Sequence, residues 1–215
     1  MADENLNLGR VGVIGRFRPL HLGATVMLES LCEQSEHVII GIGSTNKYNL
    51  RNPFTPQEVE DMLHLVLSPK YNNYEIVRIP DFAHEDGFAD GQRWVQEVRN
   101  MYQNLDAFVS GNPWTEKLLQ PHYQIIHPAE LIPKENWVYC KGSIVRMAMA
   151  KNEDWERLVR PEVATYMKER KLDERFKREF GLETIATLAG NIDYEKPEDL
   201  DAEYKHTREN DKRLI

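Results

Sequence analysis

Residues 12–24 read Gly12-Val13-Ile14-Gly15-Arg16-Phe17-Arg18-Pro19-Leu20-His21-Leu22-Gly23-Ala24. The apolar run from Val11 to Ile14 has the length and composition of a buried strand. It breaks at Gly15, carries Arg16, Arg18 and Pro19 through a turn, and enters an amphipathic run at His21. In that run Leu22, Val26 and either Met27 or Leu28 fall near helical spacing, and Glu29 and Glu33 are expected to face out. A strand that turns through glycine and cations onto a helix start makes an anion site. The first backbone N–H groups of a helix have no partner within it, and the helix dipole is positive at that end. Two arginines add fixed charge suited to a polyphosphate. The stretch predicts a nucleotide-phosphate site at the first βα turn.

Working outward, strands and helices alternate at βαβ spacing. After the helix over about 23–34 comes a strand near 37–43, containing Val38, Ile39, Ile40 and Ile42. Thr55 followed by Glu58 forms a capping box, with Pro56 at the first helical position, and predicts a helix over 56–67. A strand near 74–79, a long loop, a helix near 89–104, a strand near 106–110 and a weaker α/β pair over 114–127 follow. This order predicts a Rossmann-like, doubly wound α/β fold with a mostly parallel sheet. The Gly15 loop, the Gly43-Ser44 loop and the Ser110-Gly111-Asn112 loop all follow strands. All three should open on one sheet edge, where ligands bind in such folds. Beyond about 140 the pattern turns helical, with Gly142-Ser143 before one helix and Pro161 starting another.

The domain reading is a lead over 1–9, a main domain over 10–171 and a charged helical or extended tail over 172–215. The formal charge of −8 argues against nonspecific nucleic-acid binding. Cys32 and Cys140 give neither a disulfide framework nor a zinc pattern, which favours a reducing, cytoplasmic setting. The acidic start Met1-Ala2-Asp3-Glu4 is not expected to be a signal peptide, and no apolar run reaches membrane-spanning length, so no membrane partner is expected. Asp81, His84, Glu85 and Asp86 hint at a metal cluster, but an acidic solvated loop is the simpler reading, and no protein-held metal is expected. Cys140 beside Lys141 is expected to be inert, and Trp155 to be a packing anchor.

Several of these segments resemble the nucleotidylyltransferase superfamily, and its archaeal-type nicotinamide mononucleotide (NMN) adenylyltransferase branch in particular. Gly15-Arg16-Phe17-Arg18-Pro19-Leu20-His21-Leu22-Gly23 is similar to its first signature, His-x-Gly-His after a Gly-Arg-Phe-x-Pro lead. Ile40-Gly41-Ile42-Gly43-Ser44 with Asn52-Pro53-Phe54-Thr55, Ser110-Gly111-Asn112-Pro113, and Gly142-Ser143-Ile144-Val145-Arg146 with Asn152-Glu153-Asp154-Trp155 resemble later segments in the same order. The resemblance spans roughly 10–170.

It implies adenylyl transfer from ATP to NMN, giving NAD and pyrophosphate, with Mg²⁺ carried on the phosphates. It implies that His21 donates to the ATP phosphates and that Arg16, with the backbone of Gly15 and Phe17, lines the phosphate loop beside Gly23. Arg146 and Ser143 would grip the β- and γ-phosphates, and Gly111 and Asn112 would lie near the adenosine. Trp94 is a candidate to stack on the nicotinamide ring, or else a core residue of its helix. A homo-oligomer is expected at the family level only. The sequence departs from the pattern in three segments. The second signature histidine falls on Ala24, the closing signature's first serine on Lys141 and its threonine on Ser143, and an arginine after the Asn-Pro-Phe-Thr loop on Val59. Another phosphorylated acceptor, or an ATP- or NAD-binding sensor without turnover, are the alternatives these residues leave open.

Overall fold

The computed structural model describes residues 7–82 and 91–190. Five parallel strands form one sheet in the order β3-β2-β1-β4-β5. They are β1 (Arg10–Gly15), β2 (His37–Ile42), β3 (Tyr74–Arg78), β4 (Ala107–Val109) and β5 (Ile125–Ile126). The order reverses between β1 and β4, and their carboxyl ends part to leave a crevice there.

The strands read as near-continuous apolar runs because both sheet faces are covered. On one face Val11, Val13, Val38, Ile40 and Val109 pack under α1 (Leu22–Gln34) and α2 (Pro56–Leu67). On the other, Ile39 and Phe108 pack under α3 (Gln92–Tyr102) and α4 (Pro113–Leu119). Helix α2 begins as its sequence dictates. Thr55 accepts from Glu58 N at 3.2 Å, Glu58 accepts from Thr55 N at 2.8 Å, and Pro56 occupies the first turn.

Helix α1 differs from its expected facing. Its buried side is Ala24, Met27, Leu28 and Leu31, whereas Leu22 and Val26 are half-buried. Glu29 does not face out: it is held between Lys70, at 2.9 Å, and Arg160. The helical register was readable, but the carboxylate's direction was set by cations from two distant segments.

After the short α5 (Pro128–Leu131) the chain crosses the amino end of α1 and enters α6 (Gly142–Ala150) and α7 (Pro161–Glu169). It does not leave the body at residue 171. Helix α8 (Leu172–Phe176) runs through a wider turn at Lys177–Gly181 into α9 (Leu182–Gly190), and Leu172 and Phe176 join the main core. Arg175 pairs with both oxygens of Glu58, at 2.6 and 2.7 Å, and with Pro53 O at 3.2 Å. Val59 is wholly buried. Trp155 is a buried packing anchor, and both cysteines are buried with their thiols pushed up in pKa by desolvation first, Cys32 to about 12. Among the described residues no helix is long and apolar enough to cross a membrane.

Tyr102 shows how tightly the second face is built. Its hydroxyl donates to Val13 O at 2.8 Å, and its ring lies over Gly12 and Gly41. A Cβ on Gly41 would sit 2.1 Å from the Tyr102 oxygen. Gly41→Ala is therefore expected to cost about 1–3 kcal/mol through overpacking. Thermal denaturation should show it as a melting temperature lower by several degrees.

Candidate active site

The loops after β1, β2 and β4 meet at the carboxyl edge of the sheet. They line a cleft of about 640 Å³, bounded also by the start of α6 and by Trp94 of α3. A slot of about 180 Å³ opens beside it, floored by Ala24 and Met27 and walled by Ser110, Gly111 and Pro128. The two chambers share Ile14, Gly15, Arg16, Phe17, His21 and Lys141.

The turn after β1 is shaped by its own residues. Phe17 sits at φ 51° and folds its ring back over Gly15, where a Cβ would meet it at 2.5 Å. Ser44, in the neighbouring loop, also has positive φ, at 54°. Left-handed non-glycine residues carry a cost that surrounding structure must hold in place, and such residues gather at functional sites.

The resulting charge is one-sided. Arg16, Arg18, Arg51 and Arg146 line the cleft, and Asp81 is the one carboxylate among its described lining residues. Asp81 accepts from Ser44 Oγ at 3.1 Å and is fixed through its backbone to the Asn46 side chain. Arg146 is buried and donates to Arg18 O at 2.7 Å. Burial first, then Arg16, Arg51 and Arg18, pull its pKa down to about 10. Arg18 is likewise lowered to about 10, by burial and then by Arg16. Arg16 is lowered by partial desolvation in the cleft first and by Arg51 second, with Asp81 opposing. Arg146 Nε and Arg18 Nε and Nη2 are buried with no hydrogen-bond partner among the described residues. Crowded guanidinium groups with unmet donors are the complement of a polyanion.

Arg16 and Arg18 take different parts. Arg16 is exposed at the cleft mouth. Arg18, expected as a phosphate cation, is 1% exposed and works as a strut, donating to Gly43 O at 3.0 Å and to Asn52 Oδ1.

His21 caps α1. Its Nδ1 accepts from Ala24 N at 3.2 Å, so the ring proton sits on Nε2, which is left to donate. Desolvation first, and the nearby Arg146 second, lower its pKa to about 4. At neutral pH His21 is a neutral hydrogen-bond donor.

No family model matches the chain. A nicotinamide-nucleotide adenylyltransferase of Pyrococcus furiosus is 30% identical over 190 residues, covering 86% of this chain and 92% of the relative. Another, from Methanosphaerula palustris, is 30% identical over 185 residues, covering 86% and 99%. The chain belongs to the nicotinamide-nucleotide adenylyltransferase family. A bifunctional NMN adenylyltransferase/ADP ribose pyrophosphatase from Francisella tularensis, complexed with AMP and a Mn ion, shares the fold with a TM-score of 0.62 at 21% identity. The superposition covers 87% of this chain and 55% of that one.

Gly15, Arg16, Phe17 and His21 lie where the two chambers meet, and Ser143 and Arg146 form the α6 wall of the cleft. Gly23 packs beneath backbone 138–140, where a Cβ would fall 2.8 Å from Cys140 O and 3.0 Å from Val138 O. Gly111 lines the slot and Asn112 the cleft. Asn112 Oδ1 caps α4 by accepting from Trp114 N and Thr115 N at 3.0 and 3.1 Å. Trp94 is half-buried on the cleft wall, tilted against Trp114 with ring centroids 5.4 Å apart. Arg51 and Trp114 were not singled out from sequence. Each lies in the segment that follows a strand, Arg51 after β2 and Trp114 after β4, and that placement was the signal available. His84, Glu85 and Asp86 lie outside the described residues, and among the described ones no three acidic, His or Cys side chains cluster as a metal site.

Proposed function

We propose that the chain transfers the adenylyl group of ATP to NMN, forming NAD. The observation that carries this reading is a cleft lined by four arginines at the sheet's switch point in a chain of this family. A phosphate oxygen of NMN attacks the α-phosphorus and forms the new P–O bond. The bond from the α-phosphorus to the bridging oxygen breaks, and pyrophosphate leaves with that electron pair. Catalysis of this kind is positioning plus charge neutralisation.

His21 Nε2–H and the Gly15–Phe17 loop hold the α-phosphate, with Arg16 beside it. Arg146 and Ser143 grip the leaving pyrophosphate. Gly111, Asn112 and the slot take the adenosine, and Trp94 with Trp114 presents an aromatic wall suited to the flat nicotinamide cation. Asp81 is the described carboxylate near enough to the arginines to face a cation, and the scarcity of acidic ligands fits Mg²⁺ held chiefly by phosphates and water. When bound, that ion would neutralise phosphate oxygens. A cytoplasmic setting fits these substrates, and self-association is checked by the mass of the full chain in solution.

The test is chromatographic detection of NAD from ATP, NMN and Mg²⁺, with pyrophosphate released in equal amount. Turnover with a different phosphorylated acceptor but not NMN would move the substrate assignment. Tight nucleotide binding without turnover would make the chain a sensor.

A further inference from the structure

Ala24 and Lys141 are two departures from the family pattern that the fold brings to one place. Both line the 180 Å³ slot, and Lys141 lines the large cleft as well. On the reading that ATP and NMN are the substrates, adenosine and polyphosphate occupy different chambers. The phosphorus that joins them then lies at the junction. The side-chain donors there, among the described residues, are Arg16, His21 and Lys141. His21 is neutral, and alanine at position 24 offers no donor. The slot Ala24 faces is larger than the roughly 150 Å³ that holds a benzene ring in an engineered cavity.

The backbone of Lys141 is fixed on both sides. Residues 138–140 press on Gly23, and Gly142 lies so close to Arg18 O that a Cβ would reach it at 3.2 Å. The Lys141 carbonyl accepts from Ile144 N at 3.0 Å and opens α6. Its side chain is half-buried, with the ammonium 5.9 Å from the Tyr139 ring centroid. No carboxylate pairs with it among the described residues. A long, flexible ammonium on a fixed stem, at the junction of the two chambers and without an acidic partner among the described residues, is a mobile cation within reach of both.

We infer that Lys141 is a catalytic residue of this chain: its ammonium neutralises the charge that grows on the transferred phosphoryl group, at the place Ala24 leaves without a donor. Lys141 and Ala24 thus act as a matched pair.

The test measures NAD formation by the full chain and by Lys141→Met, Lys141→Arg, Ala24→His and the Ala24→His/Lys141→Met double variant. Binding of α,β-methylene ATP is measured alongside by calorimetry. The inference expects Lys141→Met to lower kcat by ~10²–10³-fold, the loss typical of one transition-state donor. Analogue binding should change less than about threefold, and Lys141→Arg should keep kcat within about tenfold of the parent. Because a histidine at 24 would reach the same junction, the double variant should recover at least about tenfold over Lys141→Met. Loss of affinity with kcat unchanged, or no loss at all, would overturn the inference. So would an inactive parent awakened by Ala24→His, an outcome that leaves the functional reading intact. A parent and Ala24→His variant that both make no NAD would instead sink the functional reading, and the inference with it.

Discussion

Replacing Arg146 is expected to abolish most activity while leaving the unliganded fold nearly as stable as before. Arg146→Met should lower kcat/KM for NAD formation by ~10²–10³-fold, as the loss of a fixed donor to the leaving group does elsewhere. The stability argument runs the other way. A guanidinium whose pKa is drawn down to about 10 by burial and three neighbouring arginines is held in its charged form at a cost. Removing it relieves roughly 3 kcal/mol on the scale of 1.36 kcal/mol per pKa unit. Against that, Arg18 O loses its 2.7 Å hydrogen bond. A buried carbonyl left unpaired costs about 1–3 kcal/mol. The two nearly cancel, so Arg146→Met should melt within about 4 °C of the parent. ATP supplies the contrast. At a hundred times its Kd it should stabilise the parent by about 2.7 kcal/mol, and most of that gain should vanish in the variant. A variant that keeps full turnover would remove Arg146 from the polyphosphate grip, and one that unfolds outright would overturn the stability balance.

The second large effect concerns His21. His21→Ala should lose ~10²–10³-fold in kcat for want of its Nε2–H donor. It should also lose about 1 kcal/mol of stability, because the cap on Ala24 N goes with it. His21→Asn separates the two roles. Asparagine is a good N-cap, so the melting temperature should hold, but its amide is too short to reach where the imidazole nitrogen was, and activity should fall as for alanine.

The pH behaviour follows from a pKa drawn down to about 4. Between about 4 and the ordinary value near 6.5 the unfolded chain binds a proton at this position and the folded chain does not. Stability therefore declines as pH falls through that window, by on the order of 3 kcal/mol in total from this group, and is unaffected by it above. An NMR titration of the unliganded protein should show no His21 midpoint above pH 5, with the neutral Nε2–H tautomer throughout. A midpoint near 6.5 would contradict the desolvated, capping role.

Local rules in the sequence carried the fold far. The Thr55–Glu58 box with Pro56 fixed the start of α2 to the residue, and the βαβ rhythm implied a parallel sheet whose loops meet at one edge. The Gly15–Gly23 stretch named the turn whose residues line both chambers. These features are legible because caps, periodicity and turns depend on residues a few positions apart, within reach of one helical turn or one strand.

What tertiary structure alone decided were the directions and partners of side chains. Arg16 and Arg18 look equivalent in sequence, yet the positive φ of Phe17 between them turns one into the cleft and buries the other against Gly43 and Asn52. Glu29 was expected in solvent and became the anchor of Lys70 and Arg160. Charged helices over 172–190 read as tail, but Phe176 and the Arg175–Glu58 pair tie them to the loop beside the cleft. Trp94 and Trp114, or Ala24 and Lys141, meet only because crossovers and the irregular segment over residues 138–140 bring remote segments to the same edge. Such pairings rest on packing between elements far apart in the chain, and no local pattern encodes them.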